Sequence, residues 1–127
     1  TGQVTFDTTS TGGDVTLDNG TTAISLGTIA SGAIGGDLTL LTDADQTISN
    51  AITLGGSGAE LSITVDNANS LTIQAALTTN AGAITLSADD DVIFTAAGDL
   101  TTANGNITVS ADDDSTSDAA SGGALTR

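Results

Sequence analysis

The side chains able to do chemistry in this chain are almost all carboxylates. Sixteen Asp and Glu residues face one basic residue, Arg127, and the 127 residues include no His, Lys, Cys, Tyr or Trp, for a formal net charge of −15. The carboxylates fall in rows. Asp43, Asp66, Asp89 and Asp112 follow one another at intervals of 23. Two positions on, Asp45, Asp91 and Asp114 keep the same rhythm, and Asp90 and Asp113 lie between the two rows. Asp14, Asp37 and Glu60 form a third row. A fold that stacks successive repeats one strand apart sets such carboxylates about 4.8 Å from each other. Two charges at that distance repel by roughly 0.9 kcal/mol in water and by several times that near protein. A bridging cation removes the repulsion. Ca²⁺ takes six to eight oxygens at about 2.3–2.6 Å, and twice that length is close to the strand spacing. Asp43, Asp45, Asp66, Asp89, Asp90, Asp91, Asp112, Asp113 and Asp114 are therefore candidate metal ligands, for Ca²⁺ along one corner of a rod. The competing reading is that Asp is a good turn residue facing water, with salt screening the repulsion. No Asp-x-Asp-x-Asp-Gly loop marks an EF-hand. Gly55-Gly56-Ser57-Gly58-Ala59-Glu60 occurs once and reads as a Gly-rich turn.

The same inventory excludes other chemistries. Without His or Lys the chain lacks the usual general acid/base, Schiff-base and zinc-ligand groups. Two carboxylates can act as acid and base on a glycoside. A site for an acidic polysaccharide would also need cationic side chains to hold it and aromatic rings to stack on it, so no enzyme is expected. Without a basic patch, nucleic acid and anionic lipid are poor partners. No run of about 18 apolar residues predicts membrane insertion, and no charged segment precedes an apolar one as in a leader peptide. With no initiator Met, the sequence reads as a segment of something longer.

What holds carboxylates in rows is a repeat. Gly-Asp-Val-Thr-Leu at 13–17 returns as Gly-Asp-Leu-Thr-Leu at 36–40, Ala-Glu-Leu-Ser-Ile at 59–63, Gly-Ala-Ile-Thr-Leu at 82–86 and Gly-Asn-Ile-Thr-Val at 105–109. The first apolar residues, Val15, Leu38, Leu61, Ile84 and Ile107, are each 23 apart. Apolar–Thr–apolar alternation has period two, hence strand. It turns Val15/Leu17, Leu38/Leu40, Leu61/Ile63, Ile84/Leu86 and Ile107/Val109 inward, and Thr16, Thr39, Ser62, Thr85 and Thr108 outward. The same spacing predicts three more columns: Ile48, Leu71 and Phe94; Ile29 and Ile52, followed by Ala75 and Gly98; and Leu54, Leu77 and Leu100. Each 23-residue coil then carries about three short strands separated by Gly, Asn or Asp turns. A unit this small cannot bury its apolar face alone and must stack. The expected fold class is all-β, a parallel β-helix (β-solenoid) on the order of 26 Å long. A β-sandwich also uses short strands but has no reason to keep a fixed spacing. A hydrophobic content of 38% and a mean hydropathy of +0.18 stand against disorder.

The whole chain, 1–127, is expected to be one solenoid segment. Residues 1–12 read as a partial coil, with Phe6 nine before Val15 as Ile29 is nine before Leu38. Regular coils fill 13–110, an acidic loop without large apolar residues fills 111–123, and a strand resumes at 124–127. Tandem units, with Arg127 running into Thr1, would make the last coil 35 residues, one coil plus a 12-residue loop. The plain alternative is an acidic tail.

The stretches Gly82-Ala-Ile-Thr-Leu-Ser-Ala-Asp-Asp-Asp-Val-Ile-Phe and Gly98-Asp-Leu-Thr-Thr-Ala-Asn-Gly-Asn-Ile-Thr-Val resemble the repeats of filamentous-haemagglutinin-type bacterial proteins, the giant tandem-repeat surface adhesins. The resemblance covers most of 13–110. It implies a right-handed parallel β-helix, export, an extracellular place on the bacterial cell surface, and a role in adhesion or surface architecture. The expected function is a structural stalk or filament-forming segment, stiffened by calcium on its Asp rows. Its partners would be copies of itself or adjoining repeats, end to end. The alternative is an adhesin module that recognises a receptor or glycan through a solenoid face or the acidic loop. Two Phe and no other aromatic residue favour the stalk.

Overall fold

A computed structural model describes Phe6, residues 12–112 and Leu125–Thr126. The Val/Ile/Leu–Thr alternation forms strands wherever it occurs, and among the described residues there is no helix, so none long enough to cross a membrane. The first coil contributes β1 (Val15–Asp18), and the second β2 (Leu38–Thr42), β3 (Gln46–Ile48) and β4 (Ile52–Leu54). The third contributes β5 (Leu61–Val65), β6 (Leu71–Ile73) and β7 (Ala76–Thr79), and the fourth β8 (Ile84–Ala88), β9 (Val92–Phe94) and β10 (Asp99–Thr102). The fifth has β11 (Ile107–Ala111) and β12 (Leu125–Thr126). Strands pair only with their counterparts in the next coil, always parallel, in three sheets ordered β1-β2-β5-β8-β11, β12-β9-β6-β3 and β10-β7-β4. This is the expected all-β parallel solenoid.

The first sheet keeps the spacing of the repeat throughout, with Val15, Leu38, Leu61, Ile84 and Ile107 in line. The other two sheets do not. Gln46 lies beside Leu71, a step two positions longer than the repeat, and Leu71 lies beside Val92, a step two positions shorter. The residue between Ile48 and Phe94 is therefore Ile73, not Leu71. Ile52 stands over Ile29 as expected but is followed by Leu77 rather than Ala75, and Leu54 faces Thr79 rather than Leu77. Leu77 and Leu100 do share a column. The cause lies in the corners. The corner after the first-sheet strand has three residues at 43–45 and 89–91 but five at 66–70. The next corner has two residues at 74–75 but four at 95–98, and the last has six at 55–60 but four at 80–83 and 103–106. A pair of residues added at one corner is missing at another, so each coil still returns to the first sheet in register.

The core is a stack of aliphatic layers. Leu38, Leu40, Ile48, Ile52 and Leu54 fill the second coil, and Leu61, Ile63, Val65, Leu71, Ile73 and Leu77 the third, all fully buried. Each such side chain contributes roughly 1.5–3 kcal/mol relative to exposure. Where the last corner shortens, an inward Thr replaces Leu54. Thr79 Oγ1 donates to the Gly82 carbonyl at 2.6 Å and Thr102 Oγ1 to the same oxygen at 3.1 Å. No buried side-chain polar atom lacks a partner among the described residues. Coils meet backbone to backbone at this corner. A Cβ on Gly82 would strike the Ala59 carbonyl, and one on Gly105 the Gly82 carbonyl, so Gly is a steric requirement at these two openings of the repeat, whereas Ala59 opens the third.

Candidate functional site: the acidic edges and the solenoid ends

The row before the first sheet is a hydrogen-bonded ladder. Asp37 N–H donates to Asp14 Oδ1 at 2.9 Å, and Glu60 N–H to Asp37 Oδ1 at 2.9 Å. Val15 and Leu38 donate to the carbonyls of Asp37 and Glu60 at 2.8 and 2.9 Å, which brings each carboxylate beneath the peptide of the coil above. A carboxylate accepting a peptide N–H is a charge-assisted bond, stronger than a neutral one.

The row after the first sheet is more varied. Asp43, Asp66 and Asp89 stack, because they directly follow paired strand ends, and Asp66 and Asp89 N–H donate to the Thr42 and Val65 carbonyls at 2.9 and 3.0 Å. Asp112 leaves this column. Its φ is 61°, and its N–H reaches the Asp90 carbonyl at 3.1 Å instead of continuing onto Ala88. The second row is interrupted as well. With Gln46, Leu71 and Val92 in register, Ser70 sits between Asp45 and Asp91. Ser70 N–H donates to Asp45 Oδ1 at 2.9 Å and Ser70 Oγ to Asp90 Oδ2 at 2.9 Å.

The five-residue corner supplies donors on both sides. Asn67 N–H donates to Asp89 Oδ2 at 2.7 Å. Asn69 Nδ2 reaches the carbonyls of Asp43, Asp66 and Asn67 at 3.0, 2.8 and 2.9 Å. To do so the chain passes through the left-handed region at Asn67 (φ 62°) and Ala68 (φ 56°), which Asn tolerates better than Ala. A donor-rich corner with one carboxylate, Asp66, thus separates the more acidic corners of coils two and four. Among the described residues no three acidic side chains form a group that could hold a metal ion. Asp113 and Asp114 lie outside the described residues, as does most of the 111–123 segment.

Sequence reasoning missed two polar devices. Asn67-Ala68-Asn69-Ser70 occupies the corner where coils two and four carry acidic residues, and the missing charges were the available signal. Gln46 sits at an inward strand position, 1% exposed. Its Oε1 accepts from Ile24 N–H at 2.7 Å, and its Nε2 donates to the Ile24 carbonyl at 2.8 Å and to Thr47 O at 3.1 Å. The side-chain amide replaces a peptide where the first coil has no named strand beneath β3.

Two other surfaces complete the inventory. A shallow groove of about 410 Å³ runs over the third sheet, lined by Ser31, Asn80 and the in-register hydroxyls of Thr53, Thr78 and Thr101. At the ends of the first sheet, β1 and β11 each have a strand on one side only among the described residues. Among the described residues the large exposed apolar ones, Ile107 at 45% and Leu125 at 63%, both belong to the fifth coil. Leu125 lies beside Val92, so β12 extends the second sheet to the same level as β11. Comparison with protein-family models, curated proteins and solved structures returns no match for this chain.

Proposed function

We propose that the chain is a structural stalk or filament-forming segment of an extracellular bacterial surface protein, extended by adding coil on coil along its axis. The observation that carries this reading is the unbroken parallel ladder of the first sheet, whose outermost strands, β1 and β11, pair on one side only among the described residues. An open edge is a template for another strand, and soluble proteins normally cover or charge it. The side-chain chemistry agrees. The polar groups that recur by column join one coil to the next, as Asp14 and Asp37 do. The hydroxyl-lined groove is the surface on which the alternative, a receptor or glycan site, would lie. Calcium on the Asp rows is a separable addition, because hydrogen bonds already engage Asp45, Asp89 and Asp90.

Electron microscopy and fibre diffraction test the stalk. Concentrated protein is expected to form thin fibres with a meridional reflection at about 4.8 Å, the coil spacing. Discrete globular particles at every concentration would overturn it. Melting in millimolar Ca²⁺ and in EDTA tests the addition, and equal melting temperatures would remove calcium without touching the stalk.

A further inference from the structure

The stalk reading leaves open how one unit meets the next, and the backbone directions at the two ends answer it. Val15 and Asn19 N–H groups point into the solenoid, to the carbonyls of Asp37 and Leu41. Peptides alternate along a strand, so Thr16 and Asp18 present theirs outward from β1. At the other end the Asn106 carbonyl accepts from Ile84 and the Asp112 N–H donates to Asp90, both pointing inward. Ile107 and Val109 therefore present their peptides outward from β11. The two outward sets are offset by one residue, as a parallel pair requires.

Resting on the end-to-end reading, we propose that a second copy of this chain docks its β1 edge on β11 in parallel, in the register that the internal coils use. Val15, Thr16, Leu17 and Asp18 of the second copy then lie beside Ile107, Thr108, Val109 and Ser110. Three observations select this occupant and register. The first is apolar matching. Val15 and Leu17 continue the inward column of Ile107 and Val109, and their arrival covers Ile107, the exposed large apolar residue of β11. The second is charge. Asp14 of the second copy falls on Asn106, and Asp18 on Ser110, so at this step each acid meets a neutral hydrogen-bonding side chain. Asn106 Oδ1 is placed to accept the Asp14 N–H, as Asp14 Oδ1 accepts that of Asp37. The third is steric. Gly13 brings no Cβ against Gly105, as Gly105 brings none against the Gly82 carbonyl and Gly82 none against that of Ala59.

Cysteine cross-linking reads the register directly, because the chain has no Cys. Neighbouring residues in register lie about 4.8 Å apart, within the Cα range of a disulfide. Thr16→Cys and Thr108→Cys variants are mixed at high salt, to screen the net charge, and oxidised. Disulfide-linked heterodimers are expected, with none above background when Thr16→Cys is mixed with Thr85→Cys. All three positions face outward in the strand, so the fold does not depend on them. Equal cross-linking in both mixtures, or none in either despite association, overturns the register and leaves the stalk standing. Wild-type protein that remains a monomer by sedimentation velocity at every concentration overturns both.

Discussion

The first sheet and the other two sheets obey different rules. In the first, every strand finds its partner one full repeat away, from β1 through to β11. In the second, the steps are uneven: two positions over the repeat from Gln46 to Leu71, two under it from Leu71 to Val92, then ten over it from Val92 to Leu125. The first sheet is entered from the corner where coils touch backbone to backbone and where Gly82 and Gly105 leave no room for a Cβ. That contact fixes where the next strand begins, although the corner leading to it runs to six residues at 55–60 and four at 80–83 and 103–106. The second sheet is entered through a corner held by side chains, such as that of Asn69, and this corner has five residues at 66–70 and three at 43–45 and 89–91. Rigid alignment on one face is what allows variation on the others without losing the stack.

The largest test of this contrast is Gly82→Val. The new side chain would collide with the Ala59 backbone, which cannot swing aside, and the coil contact is expected to lose about 3 kcal/mol, the upper range for overpacking. Urea denaturation measures it, and wild-type stability would show that the closed corner does not set the spacing. A smaller loss is expected at the start of the second sheet. Gln46→Leu fits the apolar column but leaves the buried Ile24 N–H and carbonyl without their partner, costing about 1–3 kcal/mol by the same measurement. A stabilised variant would mean that Ile24 finds another partner. The smallest effect is at the Asp ladder. Asp37→Asn keeps an oxygen for the Glu60 N–H and relieves charge, whereas Asp37→Ala removes the acceptor, and a difference of about 1 kcal/mol is expected between them. Equal stability of the two variants would assign the row to solvation alone.

The fold was legible because one column repeats without error. Val15, Leu38, Leu61, Ile84 and Ile107 each follow a small residue at a fixed distance, and each precedes an outward hydroxyl residue and another apolar one. The two-residue exchanges between corners were not legible, for a reason that lies in the strand itself. Side chains alternate with period two, so a slip of two leaves every residue on the same face. Leu71 and Ile73 are both apolar and both inward, and composition cannot tell which of them covers Ile48. The acidic rows were legible as rows. Their hydrogen bonds were hidden because the donors, Ser70 and the peptides of Asn67 and Glu60, belong to neighbouring coils, and Ser70 and Asn67 carry no spacing signal of their own. Asp112 departed from its row through a positive φ that nothing around it in the sequence announces.

The strand pairing has a mechanical corollary. Because partners lie in successive coils, the interstrand hydrogen bonds lie along the rod, and tension applied to its ends loads a few of them at a time. The rod would peel from an end rather than shear as a block. Each released coil lengthens the chain by about 70–80 Å, the reach of an extended segment of that size. If the chain serves as the proposed stalk, its regular coils would yield under load one at a time and cushion whatever it carries from abrupt force.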